Sequence, residues 1–287
     1  MTATQEQIRR AYIDACYQEI DALKPGNVHR FADGHRMSAA QFFESAQASA
    51  AAIADPHLSV GARILAAVEA TRSVVETNTN LGILLLCAPL AKAAASGSSD
   101  LKAALNASLH ALDIEDARNA FAAIVLAKPG GLGSAPKHDV TKEADVTLLE
   151  AMRAASNTDR IARQYATGYA DIFDGGFAAH ADAVERGEAR MWPVVFIYLH
   201  YLSAFPDTHI VRKFGMARAE KTRAEAAQIL KRVEALRNGT EREKALLAFD
   251  AKLKSDGINP GTSADLTVAT LFALHLNLVL HIREVNG

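Results

Sequence analysis

The 287-residue sequence has only two cysteines and no excess of either charge, because 31 Lys and Arg residues are balanced by 33 Asp and Glu. The isolated Cys16 and Cys87 exclude a fold held together by several disulfides and favour a reducing compartment. The net charge of −2 excludes a nucleic-acid binder that works through bulk positive charge. Residues 1–10 are polar and lack the apolar core of a signal peptide, so we expect a cytoplasmic protein.

The sequence also lacks the strong short motifs of nucleotide and metal chemistry. It has no Gly-rich loop ending in Lys-Ser or Lys-Thr, no Cys-x-x-Cys pair and no His-Glu-x-x-His. Residues 130–134 (Gly-Gly-Leu-Gly-Ser) follow a predicted helix, which argues against the dinucleotide-binding turn that follows a strand. Two alternatives stay open for this loop, a plain connection between helices or a row of backbone N–H groups for an anion.

Two apolar stretches are candidates for membrane spans. The stretch 81–91 is shorter than the roughly 20 residues that a bilayer requires, and it contains Pro89. The stretch 264–282 is longer, but it opens on Asp265 and carries His275, Asn277 and His281. Both are more typical of interior helices in a soluble protein.

Helix is the secondary structure that the composition favours throughout. Alanine, the best helix former, makes up about a fifth of the chain. Apolar residues recur at helical spacing, as in Ile8, Tyr12, Ala15 and Leu23. Only 194–199 is rich in strand formers, and its unbroken continuation to residue 202 favours helix there too. We predict an all-α fold, one compact domain over residues 1–287 with roughly a dozen helices.

Helix boundaries are marked by capping signals and by loops. The predicted loops, rich in Pro and Gly, are 24–37, 96–99, 128–140, 204–207 and 255–262. Four pairs have the spacing of a capping box at a helix start. They are Ser38–Gln41, Asp113–Asp116, Thr240–Glu243 and Thr262–Asp265.

Four segments concentrate polar residues where apolar helices begin or end, and the first contains Glu19. This residue shares an apolar stripe with Tyr12 and precedes Lys24-Pro25-Gly26, so its carboxylate is expected to point inward. A buried acid needs a partner, for which a cation, a metal or a ligand hydroxyl would serve. The alternative, a simple pair with a nearby Lys or Arg, has equal weight.

The second segment is 78–82, Asn-Thr-Asn-Leu-Gly, between two apolar helices. Asn78 or Thr79 could simply cap the second helix. Three consecutive amide and hydroxyl side chains would also suit recognition of a sugar or a base. Gly82 would then let a ligand approach the backbone closely, and Glu76 is an available acid just upstream.

The third segment, 207–213, leads into a helix. Asp207 could be no more than its N-cap. Alternatively, Asp207 binds a divalent ion or activates a hydroxyl, while Arg212 and Lys213 hold phosphates.

The fourth segment, 259–266, is a Pro-Gly turn that feeds a helix N-terminus, where free N–H groups attract anions. Asp265 either completes a capping box with Thr262 or coordinates Mg²⁺ bound to a polyphosphate. The two interpretations have equal weight.

Taken in order, these segments resemble the family of triphosphoribosyl-dephospho-CoA synthases, which build the prosthetic-group precursor of citrate lyase and malonate decarboxylase. The resemblance runs from about residue 12 to residue 280. It implies an all-α fold and transfer of a triphosphoribosyl group from ATP, with release of adenine. Its anchors are Lys24-Pro25-Gly26-x-Val28, Asn78-Thr79-x-x-Gly82, Asp207-Thr208 with Arg212, and Pro260-Gly261-x-Ser263-Ala264-Asp265-Leu266.

The sequence departs from the family pattern at specific positions. Where such enzymes usually have Asn-Thr-His-Lys-Gly, Asn80 and Leu81 replace the His and the Lys. His29 stands where an acid is expected, and His209 stands where Asn is usual. The missing lysine removes a point charge from a phosphate-handling site. These features resemble the divergent branch found in methanogens and methylotrophs, which is associated with one-carbon carriers of the methanopterin or methanofuran type.

The hypothesis is a transferase that moves a (tri)phosphoribosyl group from ATP, a substrate here, to a hydroxyl of a coenzyme precursor. Asp207 and Asp265 are assigned catalytic and Mg²⁺-binding roles, with Glu19 or Glu76 as a second carboxylate. The expected partner is a small nucleotide or phosphorylated substrate, without nucleic acid or membrane, in a possible homodimer. The predicted substrate-binding residues are Lys24, Gly26, Asn78, Thr79, Asn80, Gly82, Thr208, His209, Arg212, Lys213, Asn259, Gly261 and Ser263.

Two other functions stay open. One is a different nucleotide- or phosphate-dependent step in the biosynthesis of a one-carbon coenzyme. The other is a non-catalytic helical binding or assembly module. The transferase hypothesis requires the four segments to meet, so Asp207 and Asp265 on opposite sides of the molecule would exclude it.

Overall fold

Most of the chain is helical, as its alanine content and apolar periodicity predict. The computed structural model describes residues 3–130 and 138–285, with side chains to residue 281. These ranges contain fourteen α-helices, one π-helix and two isolated β-bridges, and no strand. The α-helices are α1 Gln5–Asp21, α2 Ala39–Ala54, α3 Val60–Val74, α4 Leu81–Ala94, α5 Leu101–His110, α6 Ile114–Ala127, α7 Leu148–Ala155, α8 Arg160–Thr167, α9 Phe177–Glu185, α10 Trp192–Ala204, α11 Thr208–Phe214, α12 Met216–Ala235, α13 Gly239–Ser255 and α14 Gly261–Val285.

The all-α prediction is therefore confirmed, and the strand-prone stretch 194–199 lies in α10. The π-helix, Asp171–Gly176, continues directly into α9. Of the predicted glycine-rich loop 130–134, residues 131–134 lie outside the described residues.

Two of the four predicted capping boxes are confirmed, at α2 and α6. At α6 the pair is reciprocal, because Asp116 N donates to Asp113 Oδ1 at 2.8 Å and Asp113 N donates to Asp116 Oδ2 at 3.3 Å. The first residues of α2 and α6 could be predicted from the sequence because the two members of a capping box lie within a single helical turn.

The other two predicted boxes are wrong. Helix α13 is capped by Asn238, whose side chain accepts from Thr240 N at 2.9 Å. Asparagine is among the strongest N-cap residues, and it places Thr240 inside the helix. Helix α14 begins at Gly261, so Thr262 is also helical, and its hydroxyl accepts from His209 N at 3.2 Å instead.

Helices α4 and α14 form the centre of the fold. Nearly every residue of α4 is buried, and α14 packs against α1, α4 and α10. One stretch of α14, Gly261–His281, is long and apolar enough to cross a membrane, but 67% of its 18-residue apolar window is buried inside the fold. Such burial is typical of a core helix.

Pro89 inside α4 leaves one carbonyl oxygen of the helix without its usual hydrogen bond, and a tyrosine of another helix supplies the donor. Pro89 has no N–H to donate to the carbonyl of Leu85, four residues earlier. The hydroxyl of Tyr165 in α8 donates to that oxygen at 2.6 Å, and the hydroxyl of Tyr169 donates to Leu86 O at 3.0 Å. Tyr165 thus fixes the position of α8 against the central helix, and Tyr169 does the same for the residues that follow α8.

We expect Tyr165→Phe to destabilise the fold by about 1–3 kcal/mol, because it leaves the buried Leu85 carbonyl without a partner. Urea unfolding followed by circular dichroism measures the change. The matched control is Tyr17→Phe, because the Tyr17 hydroxyl accepts from the exposed side chain of Gln47 and not from a buried backbone group. Equal, small losses in both variants would contradict the proposed role of Tyr165.

Candidate active site

The first and fourth polar segments are joined by side-chain hydrogen bonds. Asn27 Nδ2 donates to Asn259 Oδ1 at 2.8 Å. Gly26 adopts φ +84°, and a Cβ at this position would lie only 2.9 Å from Pro260 Cδ. The left-handed backbone and the close approach both require glycine here, so the loop after α1 lies directly on the turn before α14.

The third and fourth segments are joined by the buried carboxylate of Asp207. Its Oδ1 accepts from His209 N at 2.9 Å and from Ile210 N at 3.2 Å, which makes it the N-cap of α11. Its Oδ2 accepts from both the N–H and the hydroxyl of Ser263 at 2.8 Å each. Burial raises the pKa of Asp207, while the hydrogen bonds from Ser263 and Ile210 lower it.

The hydrogen bonds of Asp207 decide between the two interpretations left open for it. Four donors occupy its two oxygens, and the residue is only 1% exposed. A carboxylate has about four lone-pair sites, so none remains for a metal ion or a substrate proton. The N-cap interpretation is confirmed, and this geometry contradicts the assignment of Asp207 as a base or Mg²⁺ ligand.

Further contacts link the same two segments. Thr208 Oγ1 and Thr262 Oγ1 are 3.0 Å apart, and either hydroxyl can donate. A Cβ on Gly261 would overlap the His209 ring. Thr208, His209, Gly261 and Ser263 therefore meet, as the hypothesis requires.

The second segment meets the fourth at Gly82. A Cβ on Gly82 would overlap Asp265 Oδ2 and would lie 2.7 Å from Ile161 Cδ1. Only glycine lets α4 begin this close to the first turn of α14. All four segments consequently converge, and Asp265 lies where the second and fourth of them touch.

Asp265 differs from the other acids of this region because its carboxylate has no hydrogen-bond or ion-pair partner among the described residues. The residue keeps partial contact with solvent. Its pKa is raised well above the ordinary 3.8, first by the surrounding protein atoms and then by the negative charges of Asp207 and Glu19. A carboxylate that is crowded, unpartnered and reachable is suited to accept a proton or a cation.

Glu19 points inward, as predicted, and its partner is a lysine. Lys24 Nζ donates to Glu19 Oε1 and, at 3.2 Å, to Asn27 Oδ1. Burial raises the pKa of Glu19 and lowers that of Lys24, and each charge opposes the shift of the other. The simple ion-pair interpretation is confirmed. Because Lys24 is fully buried, its placement contradicts the prediction that it holds a substrate phosphate.

The polar residues of the second segment mostly serve the fold. The N-cap residue of α4 is Asn80, and Asn78 Oδ1 accepts from the N–H of Leu81, the first residue of the helix, at 3.1 Å. Thr79 Oγ1 lies 2.6 Å from Ser45 Oγ, and Asn80 Nδ2 donates to Thr71 Oγ1 at 3.0 Å. A cavity of about 10 Å³ between Asn80 and Glu19 has room for only about one water.

Glu76 does not join the other segments. It is exposed, and the contact that the structure shows for it is a hydrogen bond from Arg72 to its backbone carbonyl. Within the described residues, its carboxylate has no hydrogen bond or ion pair with the converging loops. This placement contradicts its assignment as a catalytic acid.

Two cations from α11 border the site. Arg212 Nη1 donates to Asp159 Oδ2 at 2.6 Å. Lys213 is exposed, and its Cε would lie 3.6 Å from a Cβ on Gly130. Burial and the charges of Arg212 and Lys213 lower the pKa of His209 to about 3. His209 is therefore neutral at pH 7, and the positive charge at this border comes from Arg212 and Lys213.

The sequence analysis missed Asp250 of α13, which holds the first segment in place. Its Oδ1 accepts from Gly26 N at 2.8 Å, and it lies 3.3 Å from His29 Nε2 and 3.1 Å from Lys254 Nζ. Burial raises the pKa of Asp250, but these partners lower it overall. Asp250 lies between Leu246 and Leu253 on the buried face of α13. An acidic residue on an otherwise apolar helix face is the sequence feature that could have pointed to it.

Comparison with known proteins agrees with this geometry. A family model described as ATP:dephospho-CoA triphosphoribosyl transferase matches residues 5–283. The chain belongs to this family. Among solved structures, a candidate triphosphoribosyl-dephospho-CoA synthase from Archaeoglobus fulgidus is similar, with a TM-score of 0.62 and 26% identity over 82% of this chain and 97% of that one. No curated protein sequence matches.

Membership of the ATP:dephospho-CoA triphosphoribosyl transferase family confirms the resemblance inferred from the four segments. It also identifies the chain as a transferase and argues against a non-catalytic helical module. The family match covers the four converging segments together.

We expect Asp265→Asn to raise the melting temperature, by an amount that grows with pH. The pKa of Asp265 is raised above its ordinary 3.8, so ionisation is harder in the folded state. The wild type therefore loses stability as pH rises from about 4 through the raised pKa, and the variant does not.

Thermal unfolding of both proteins between pH 4 and pH 8 measures this difference. Asp100→Asn is the control, because Asp100 is an exposed acid at the start of α5. A difference between Asp265→Asn and wild type that stays constant across the range would refute the raised pKa.

Proposed function

We propose that this protein transfers a triphosphoribosyl group from ATP to a hydroxyl of dephospho-CoA or a related coenzyme precursor and releases adenine. The observation that carries the proposal is the convergence of the four family segments around Asp265, whose carboxylate has no hydrogen-bond or ion-pair partner in the described part of the chain. Family membership supplies the reaction class, and the cations of α11 agree with a polyphosphate substrate. We also propose a cytoplasmic location, with which the two free cysteines agree. The proposal includes a homodimer, with no nucleic-acid or membrane partner.

The reaction breaks one bond and forms one. The C1′–N bond between ribose and adenine breaks, adenine keeps the electron pair and takes up a proton, and positive charge develops at C1′. The acceptor oxygen forms the new bond to C1′ and gives up its proton. Asp265 is suited to take this proton, because a carboxyl whose pKa is raised well above its ordinary value is a better general base.

The triphosphate of the substrate requires positive charge from the protein. Arg212 offers a planar set of N–H donors, and Lys213 adds a point charge from the next residue. Neutral His209 beside them can donate one hydrogen bond and accept another, but it adds no charge. In this proposal Arg212 and Lys213 bind the phosphates and His209 contributes to their orientation.

The residues of the candidate site can hold Mg²⁺ only if the substrate supplies most of the ligands of the ion. The described residues contain no cluster of three or more His, Cys, Asp or Glu that could hold a metal. Mg²⁺ is commonly bound through one or two carboxylates together with substrate phosphates. One oxygen of the Asp265 carboxylate would be the protein ligand, the other oxygen would remain for the proton of the acceptor, and the ion would neutralise charge on the triphosphate.

The decisive experiment incubates the protein with ATP, Mg²⁺ and dephospho-CoA and follows adenine by chromatography and the product by mass. We expect adenine and the triphosphoribosylated acceptor in equal amounts. Asp265→Asn should reduce turnover at least about 100-fold, because it removes the general base, while the protein remains folded. Full activity of this variant would remove Asp265 from the chemistry.

The same assay separates a second candidate function. Leu81 is apolar and only 7% exposed at the start of α4, so this position provides no cation for a phosphate. That observation favours a different nucleotide-dependent step, in which ADP or pyrophosphate is released instead of adenine. Absence of any thermal shift with nucleotides and Mg²⁺ would favour the non-catalytic module.

Gly82→Ala tests the placement of Asp265 without changing any charge. The added methyl overlaps the Asp265 carboxylate and should displace it, so we expect turnover to fall at least about tenfold, since small misplacements of catalytic groups cost this much or more. Gly239→Ala is the control, because a Cβ there has no atom within 4 Å. Equal activity of both variants would contradict the importance of this contact.

A further inference from the structure

The first turn of α8 is a fifth segment of the site, and no sequence motif pointed to it. Asp159 is the N-cap of α8, and its Oδ1 accepts from Ile161 N at 2.8 Å and from Ala162 N at 3.0 Å. Its other oxygen, Oδ2, accepts from Arg212 Nη1 at 2.6 Å. One carboxylate therefore fixes the end of a helix and the guanidinium of a predicted phosphate-binding residue.

The α8 turn is itself held in place on both sides. Arg160 N donates to Thr208 Oγ1 at 3.3 Å, on the third segment. The Arg160 side chain makes two hydrogen bonds, of 2.7 and 2.8 Å, to Asp171 of the π-helix and lies 3.9 Å from the centre of the Phe205 ring. Ile161 packs where Gly82 meets Asp265. The turn that carries Asp159 is thus fixed by contacts with the third segment, the π-helix and the region of Gly82.

Arg212 has donors to spare for a ligand. A guanidinium carries five N–H donors, and within the described residues a single hydrogen bond, to Asp159, engages them. The side chains of Arg212 and Asp159 are 31% and 30% exposed, so the free donors remain accessible. The charges of both residues act on the pKa of Asp265, Arg212 lowering it and Asp159 raising it. The pair is thus linked electrostatically to the candidate catalytic carboxylate.

We propose that Asp159 is a positioning residue that holds Arg212 in the orientation in which its free N–H groups bind the substrate triphosphate. This inference rests on the proposed function, because it assigns phosphate binding to Arg212. It also predicts whether replacing Asp159 strengthens or weakens the binding of the triphosphate. Loss of the Asp159 charge alone makes the site more positive and should tighten the binding of an anion, whereas loss of positioning should weaken it.

Asp159→Asn separates positioning from stability. Asparagine caps helices as well as aspartate does, so Oδ1 can keep its bonds to Ile161 and Ala162 while the charged partner of Arg212 is lost. The probe is inorganic tripolyphosphate, titrated calorimetrically. We expect its Kd and the KM for ATP to rise about fivefold, in keeping with loss of one charge-assisted hydrogen bond, with kcat within about twofold and the melting temperature unchanged. Tighter or unchanged binding would overturn the proposal.

Asp100→Asn is the matched control. Asp100 is also the N-cap of its helix, α5, and its Oδ1 accepts from Ala103 N at 2.9 Å. Within the described residues it has no ion-pair partner. The control removes the same charge at the same kind of position, and we expect no change in the Kd for tripolyphosphate. An equal rise in Kd in both variants would show that the pairing of Asp159 with Arg212 is not responsible.

A double-mutant cycle with Arg212→Ala tests whether Asp159 acts through the arginine. We expect Arg212→Ala to weaken tripolyphosphate binding, and Asp159→Asn to have no further effect in that background. Additive effects would overturn the positioning role. If Arg212→Ala leaves binding unchanged, the phosphate role of Arg212 fails and this inference with it, whereas the adenine-release assay still decides the transferase reaction.

Discussion

The buried carboxylate of Asp207 is the constraint on which the site depends. It accepts four hydrogen bonds, two from the first turn of α11 and two from Ser263 in the first turn of α14. Burial of a charge is costly unless donors satisfy it, so two helix N-termini whose N–H groups lack helical partners are held at one point. The cations of α11 and the acid of α14 are brought together as a consequence.

The polar residues of the four segments divide into two kinds. Residues of the first kind are buried and hydrogen-bonded across segments, Asn27 to Asn259 and Ser263 to Asp207. These side chains hold the loops together. Asp265, Arg212 and Lys213 keep unused acceptors or donors within the described residues. The free groups can act as a site because the bonded groups fix the backbone beneath them, which is the preorganisation that catalysis requires.

The site also concentrates carboxylates at the expense of stability. Asp265 lies within the electrostatic influence of Asp207, Glu19 and Asp159, and only Arg212 lowers its pKa among the main contributions. Glu19 is paired with Lys24, and Asp207 accepts four hydrogen bonds. Within the described residues, the carboxylate of Asp265 has neither kind of partner. A strained electrostatic arrangement of this kind is common where a proton must be accepted near neutral pH.

The sequence by itself determined the helical fold, the inward direction of Glu19 and the capping role open to Asp207, because these follow from spacing within one or two helical turns. Only the tertiary structure decided that Lys24 is buried, that Glu76 faces solvent and that Asp159 and Asp250 support the site. Those outcomes depend on partners far apart in the chain, such as Asp159 with Arg212 or Gly26 with Asp250. Periodicity reports which face of a helix is buried, but not which residue of another helix lies opposite it.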